Sequence, residues 1–131
     1  MLSPADILDA SILIVDDQEA MAALIRRVLQ RAGLPCVTAN TVPSALQIVL
    51  AGGALDAVVL DVLMADVDGL AAIRHLREVG YEGKIVMCTA IESAAVRATA
   101  MAHGADGFVL KSDGLRMLPV VLASLGVVPR G

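Results

Sequence analysis

The chain alternates between two hydrophobic periods. Five short apolar runs, Ser11 to Val15, Pro35 to Ala39, Ala57 to Leu60, Lys84 to Cys88 and Gly107 to Leu110, are too short for helices and read as strands. Between them the period changes to that of a helix. Glu19 to Ala32 places Met21, Leu24, Ile25 and Val28 on one face, with Arg26, Arg27 and Arg31 opposite, and Gly33 ends it. Further helices are expected from Pro43 to Leu50, closed by Gly52-Gly53, from Gly69 to Val79 behind an Asp68 N-cap, and from Ser93, as cap, to His103 before Gly104. Proline suits the first turn of a helix and breaks its interior, so Pro119 sets the start of the last helix, Pro119 to Leu125. Residues 112–118 are then a turn or short lead-in.

Five strand–helix units with near-continuous apolar strands predict an α/β fold, a doubly wound parallel sheet with helices on both faces. No linker, repeat or composition shift divides the 131 residues, and they are expected to form one domain, 1–131. Composition sharpens this picture. The chain is 57% hydrophobic yet holds one Phe, one Tyr and no Trp, so its core is aliphatic. A membrane-spanning helix needs about 20 mostly apolar residues, and charges interrupt every long stretch here, including Asp56 and Asp61 within Ala54 to Ala65. The N-terminus lacks the basic and apolar regions of a signal peptide, which makes the cytoplasm the default location. A net charge of −4 argues against direct nucleic-acid binding, which needs clustered Lys and Arg. Cys36 and Cys88 have no metal-ligand spacing and read as small core residues.

Ligands in doubly wound sheets bind beyond the carboxyl ends of the strands. The residues there are Asp16-Asp17, Asp61 to Met64, Thr89-Ala90 and Lys111. A phosphate-binding first loop would be rich in glycine, whereas strand 1 runs into Asp16-Asp17-Gln18, which disfavours nucleotides and flavins. Three carboxylates from two strand ends instead suit a hard cation such as Mg2+. Aspartate can accept a phosphoryl group covalently, and a metal, a lysine and a hydroxyl would stabilise charge on the transferring oxygens. Lys111 and Thr89 have those functions at hand.

These pieces, in this order, resemble a response-regulator receiver domain, the phospho-accepting module of two-component signalling, similar to the chemotaxis single-domain regulators. The match spans essentially the whole chain: the acidic pair Asp16-Asp17, the segment Asp61-Val-Leu-Met-Ala-Asp-Val-Asp-Gly69, Thr89-Ala90, and Gly104-Ala-Asp-Gly-Phe-Val-Leu-Lys111. The resemblance implies a flavodoxin-like strand order 2-1-3-4-5 with five helices. It implies Asp61 as phosphoacceptor, with Mg2+ held by Asp16, Asp17, Asp61 and the backbone carbonyl of Leu63. Thr89 and Phe108 would be the switch residues and Lys111 would neutralise the phosphoryl group. The implied partners are a sensor histidine kinase or histidine phosphotransfer protein and a downstream protein, with a homodimer through the helix 4–strand 5–helix 5 face as a further option. The resemblance also implies that the positions two after the acceptor and two after the switch hydroxyl influence hydrolysis. Here they are Leu63 and Ile91, neither able to orient a water.

The chain departs from the family pattern at three places. Ala65 and Ser112 stand where proline is usual, so a trans Lys111-Ser112 bond is expected, and Phe108 replaces the commoner tyrosine. Blander roles compete elsewhere: Asp17 as a cap for helix 1, Asp66 and Asp68 as loop and capping groups, Phe108 as simple core, and the Ala-rich helix 94–102 as a closely packed element. His75 and His103 show no partner in the sequence, and the apolar stretch from Leu115 to Val128 is either core or a docking face. Two other functions compete with the leading one. A haloacid-dehalogenase-type phosphohydrolase would want a second acid two residues after the nucleophile, where Leu63 stands. A receiver-like interaction module working without phosphorylation would ordinarily have lost one of the acids or the lysine. Nothing in the sequence separates a standalone regulator from the receiver part of a longer chain.

Overall fold

Branched aliphatic residues fill the five short runs, and the computed structural model, which describes Ile7 and residues 9–63 and 69–129, pairs all five as strands. They are β1 (Ile12–Val15), β2 (Cys36–Ala39), β3 (Ala57–Leu60), β4 (Lys84–Thr89) and β5 (Gly107–Leu110). The helices are α1 (Glu19–Arg31), α2 (Val42–Leu50), α3 (Gly69–Glu78), α4 (Ala94–His103) and α5 (Met117–Ser124). The strands lie parallel, as their apolar pattern predicts, in the order β2-β1-β3-β4-β5 that the family resemblance implies.

Alternation along each strand feeds two separate cores. Leu13, Val15, Val58, Leu60, Ile85 and Met87 face α2, α3 and α4. Ile12, Ile14, Val59, Val86, Cys88 and Val109 face α1 and α5. A strand buried on both faces has no position for a charge until it ends, and so β1 and β3 end at Asp16 and Asp61.

Helix boundaries depart from expectation by one or two residues, for local reasons. Helix α2 begins at Val42 because Thr41 caps it, its hydroxyl accepting from the Ser44 N–H at 3.2 Å. Helix α5 begins at Met117, two residues before Pro119, which still falls in the first turn where no intrahelical N–H is missed. The lead-in is a short 3₁₀ turn, Lys111–Asp113. Among the described residues no peptide bond is cis, so Lys111-Ser112 is trans as expected. Met64, Ala65, Asp66 and the proposed cap Asp68 lie outside the described residues.

Two packing expectations need correction. The buried stripe of α1 is Ala22, Ile25 and Leu29, rotated from the expected face, and Leu24 is exposed. Helix α4 is not closely packed: Ala100 alone is fully buried, and Ala94, Ala95, Ala98 and Ala102 face solvent. The strand it flanks explains this, because β5 is an edge whose Gly107, Phe108 and Leu110 are only half-buried. The apolar C-terminal stretch divides likewise, with Leu118, Leu122 and Val127 buried and Met117, Val120 and Val128 exposed. No helix among the described residues is long and apolar enough to cross a membrane.

The C-terminal end of α4 is held by polar ties. Arg77, at the end of α3, donates to the Gly104 carbonyl from Nε at 3.2 Å and Nη2 at 2.8 Å. It also reaches the carbonyls of Tyr81 and Gly83 at 2.8 and 2.7 Å and the Asp106 carboxylate at 3.0 Å. Asp106 in turn accepts the Ile85 N–H at 2.9 Å. Gly104 closes α4 with φ +114°, a left-handed conformation that favours glycine. His103, read from sequence as unpartnered, donates Nδ1–H to the Leu70 carbonyl at 2.9 Å, and His75 lies 3.6 Å from Glu78. One guanidinium thus ties the α3 end, the α3–β4 turn and the α4–β5 turn together. Replacing it leaves several carbonyls and a carboxylate without their donor. Arg77→Met is expected to lower the unfolding free energy by about 2–4 kcal/mol in urea titrations. A loss below about 0.5 kcal/mol would show that water replaces these bonds at no cost.

Candidate functional site at the carboxyl ends of the strands

Strand register assembles the site. Val15 pairs with Leu60, so Asp16 and Asp61, the next residues, emerge side by side. Leu60 pairs with Met87 and Thr89 with Leu110, which puts Thr89 two residues above that level on the neighbouring strand and Lys111 just past the end of β5. The backbone continues the ladder into these positions: Asp61 N–H donates to Val15 O, and Asp16 N–H to Ala39 O, both at 3.1 Å.

Three of the sequence-predicted groups meet directly. The Lys111 ammonium donates to Asp61 Oδ2 at 3.0 Å and to Asp16 Oδ2 at 3.4 Å. The side chains of Asp16 and Asp61 are 1% and 7% exposed and that of Lys111 14%, so bulk water contributes little to the balance of charge. The other carboxylate oxygens turn back on the chain. Asp16 Oδ1 accepts from Gln18 N–H at 3.0 Å, and Asp61 Oδ1 from Leu63 N–H at 3.1 Å. Asp16 therefore satisfies a backbone N–H just before α1, where Gln18 is the N-cap. Asp17 stands half-buried beside it.

Burial raises the pKa of Asp16 above the usual aspartate value, the nearby Asp61 charge adds to this, and the Gln18 N–H and Lys111 oppose it. Burial works against the Lys111 ammonium. The hydrogen bond to Asp61 and the two carboxylate charges outweigh that effect and hold its pKa above the ordinary lysine value. Thr89 is fully buried, and its hydroxyl oxygen accepts the Ile91 N–H at 3.3 Å, which leaves the hydroxyl proton to donate elsewhere. Cys88 and Cys36 are buried free thiols pushed up to about 12 by burial, which suits their reading as core.

Gly69, eight residues after Asp61, has a steric role the motif alone does not explain. A Cβ there would run into the Asp61 carbonyl oxygen and the Val62 backbone, and Gly69 N–H donates to Val62 O at 3.0 Å. Glycine lets the start of α3 press against the chain that carries Asp61. Leu63 is exposed and Ile91 half-buried near this end of the sheet.

Among the described residues no three His, Cys, Asp or Glu side chains converge as a metal site, and Lys111 contacts both buried carboxylates. The donor chemistry nevertheless fits a cation. Two carboxylates share one ammonium, the surplus is negative, and all the donors are oxygens, the preference of a hard divalent ion.

Sequence reasoning missed two groups, one beside the site and one at the opposite end of the sheet. Arg97 of α4 lies over the Phe108 ring, 5.3 Å from its centroid, and Arg77 anchors the far end of the same helix. Neither belongs to a local motif, and both act on residues remote in sequence.

The model of the response regulator receiver domain matches residues 12–122, and the chain belongs to that family. It is a receiver domain of the two-component type. Response regulator MprA of Mycobacterium leprae (strain TN) is 38% identical over 107 residues, which are 82% of this chain and 46% of the relative. MprA of Mycobacterium sp. (strain KMS) is 37% identical over the same shares. The chain thus spans about half the length of the curated relatives it matches. Among solved structures, Thermotoga maritima TrrA in complex with Mg(2+)-BeF aligns with a TM-score of 0.78 at 29% identity, covering 88% of this chain and 98% of that one. Vibrio cholerae chemotaxis protein CheY4 aligns at 0.78 and 26% identity, covering 91% and 98%.

The shared lysine leaves Asp16 carrying a charge that its surroundings disfavour. A raised folded-state pKa means that the ionised carboxylate costs stability above that pKa, and that the cost is relieved as pH falls through it. Asp16→Asn keeps the Oδ1 acceptor for Gln18 and leaves Lys111 to Asp61. In metal-free buffer near neutral pH it is expected to gain about 1 kcal/mol in urea unfolding. A destabilised variant would mean that the 3.4 Å contact with Lys111 outweighs the burial cost.

Proposed function

We propose that this receiver accepts a phosphoryl group on Asp61 from a phosphohistidine donor, and that the modification switches the α4–β5–α5 face. One observation carries the reading: Asp61 and Asp16, buried at neighbouring strand ends, converge on the Lys111 ammonium. An Asp61 oxygen forms the new bond to phosphorus while the bond from phosphorus to the histidine nitrogen breaks and its electron pair returns to the imidazole. Lys111 sits where it balances charge on the transferring oxygens, and the free proton of Thr89 donates to one of them. Mg2+ suits the oxygen set of Asp16, Asp17, Asp61 and the Leu63 carbonyl, and when bound it supplies positive charge against the phosphoryl oxygens. TrrA, solved with Mg(2+)-BeF, lends support to that choice.

The new phosphoryl group draws on Thr89 and Lys111, and Thr89 adjoins Phe108 across the β4–β5 pairing, in which Met87 is opposite Phe108 and Thr89 opposite Leu110. The differential contacts bias Phe108 between two packings and so reshape the face that α4, β5 and α5 share. The chain acts on nothing but its own phosphorylation and dephosphorylation. Its partners are a histidine kinase or phosphotransfer protein and a downstream protein, with a second copy on the α4–β5–α5 face as a further partner. Residues 1–131 form one receiver unit, acting in the cytoplasm.

Incubation with Mg2+ and acetyl phosphate, followed by intact mass, tests the reading. A single phosphoryl adduct is expected on the wild type and none on Asp61→Asn; equal labelling of both would overturn the assignment of the acceptor. Unchanged mass in the wild type would favour the phosphorylation-independent module. Leu63 and Ile91 offer no group to orient an attacking water, so the phospho-form is expected to persist for minutes or longer. Decay within seconds on purified protein would contradict this, and Leu63→Asn should shorten the lifetime.

A further inference from the structure

Helix α4 is attached unevenly. Its C-terminal half carries the buried Ala100, the His103 bond to Leu70 and the Arg77 bonds to Gly104. Its N-terminal half packs through half-buried Val96 and, toward β5, through the Arg97 guanidinium over the Phe108 ring at 5.3 Å. That separation lies within the roughly 6 Å range of a cation–π contact. Phe108 is half-buried: it packs against the core on the α3–α4 side of the sheet and also lines a shallow surface cleft of about 130 Å³ with Arg97, Leu110, Asp113 and Met117.

We propose that Arg97 is a positioning residue of the switch: its guanidinium clasps Phe108 in this half-buried packing, and activation must break that contact. Phe108 cannot move toward Thr89 and keep its place under Arg97, because the Arg77 ties hold the far end of α4 and prevent the helix from following as a rigid body. This inference rests on Phe108 as the switch residue. A contact of this kind at a partly exposed site favours one packing by about two- to fivefold in population.

The chain has one Phe, so 4-fluorophenylalanine labelling places a single 19F reporter at position 108. Beryllofluoride titration in excess Mg2+, read on that line, compares wild type with Arg97→Met, Arg97→Lys and, as a control on another exposed arginine, Arg116→Met. Arg97→Met is expected to shift the resting line and to lower the beryllofluoride midpoint about two- to fivefold. Arg97→Lys, which keeps a cation, should restore most of the wild-type midpoint, and Arg116→Met should change neither. Uniform 3,4,5-trifluorophenylalanine, similar in shape but with a depleted ring face, should reproduce the Arg97→Met midpoint without any substitution. An unchanged resting line, or a midpoint unchanged or raised in Arg97→Met, overturns the clasp. A wild-type chain that takes no beryllofluoride overturns the phosphoacceptor reading instead, and the resting line alone then decides the clasp. Beryllofluoride binding that leaves the wild-type line in place overturns Phe108 as the switch, and the clasp with it.

Discussion

Two buried carboxylates share one ammonium group at the carboxyl ends of a parallel sheet, and the site is built around that shortage of positive charge. Asp16 and Asp61 cannot separate, because the β1–β3 register that pairs Val15 with Leu60 delivers them side by side. Lys111 cannot serve one of them alone, since it bridges both from beyond β5. A site that is underneutralised and closed to bulk water holds its charge at a cost to stability. It gains from anything that brings positive charge or spreads the negative. In the proposed function, affinity for a hard cation and reactivity toward a phosphoryl donor would be two consequences of the same arrangement.

The helices around the sheet divide by how firmly they are held. Both α1 and α5 bury aliphatic stripes against one face, and α2 and α3 do the same on the other. Helix α4 buries one alanine and relies on polar ties at one end. Elements with few buried apolar contacts open at low free-energy cost, so movement concentrates where packing is thinnest. That places the adaptable part of the molecule beside Thr89 and Phe108, and the rigid part beneath the carboxylates. Gly69 and Arg77 contribute to the rigid side, one by allowing α3 to abut the Asp61 backbone and the other by anchoring the turn after α4.

Much of this was legible in the chain alone, for a physical reason. Strands buried on both faces must be apolar throughout and can turn polar only where they end, so Asp16, Asp61 and Lys111 announce both the strand boundaries and the site. The Ser93 cap and Gly104 mark α4 correctly at both ends because capping is a local matter. Errors arose where tertiary contacts decide. The α1 stripe was rotated because Leu24 and Leu29 are chemically alike and only the sheet selects between them. The loose packing of the Ala-rich α4 is not legible in its residues, because small side chains fit a tight interface and an exposed helix equally well. His103 looked unpartnered because its acceptor, the Leu70 carbonyl, lies 33 residues away.

The sequence by itself determined the α/β class, the near-exact strand spans and the set of residues at the strand ends, all through short-range hydrophobic period and local turn chemistry. Only the tertiary structure decided that Lys111 bridges the two aspartates, that Arg77 anchors α4 and that Arg97 covers Phe108. Those contacts join groups between 11 and 95 residues apart, and no local period encodes distances that exist only once the strands are in register.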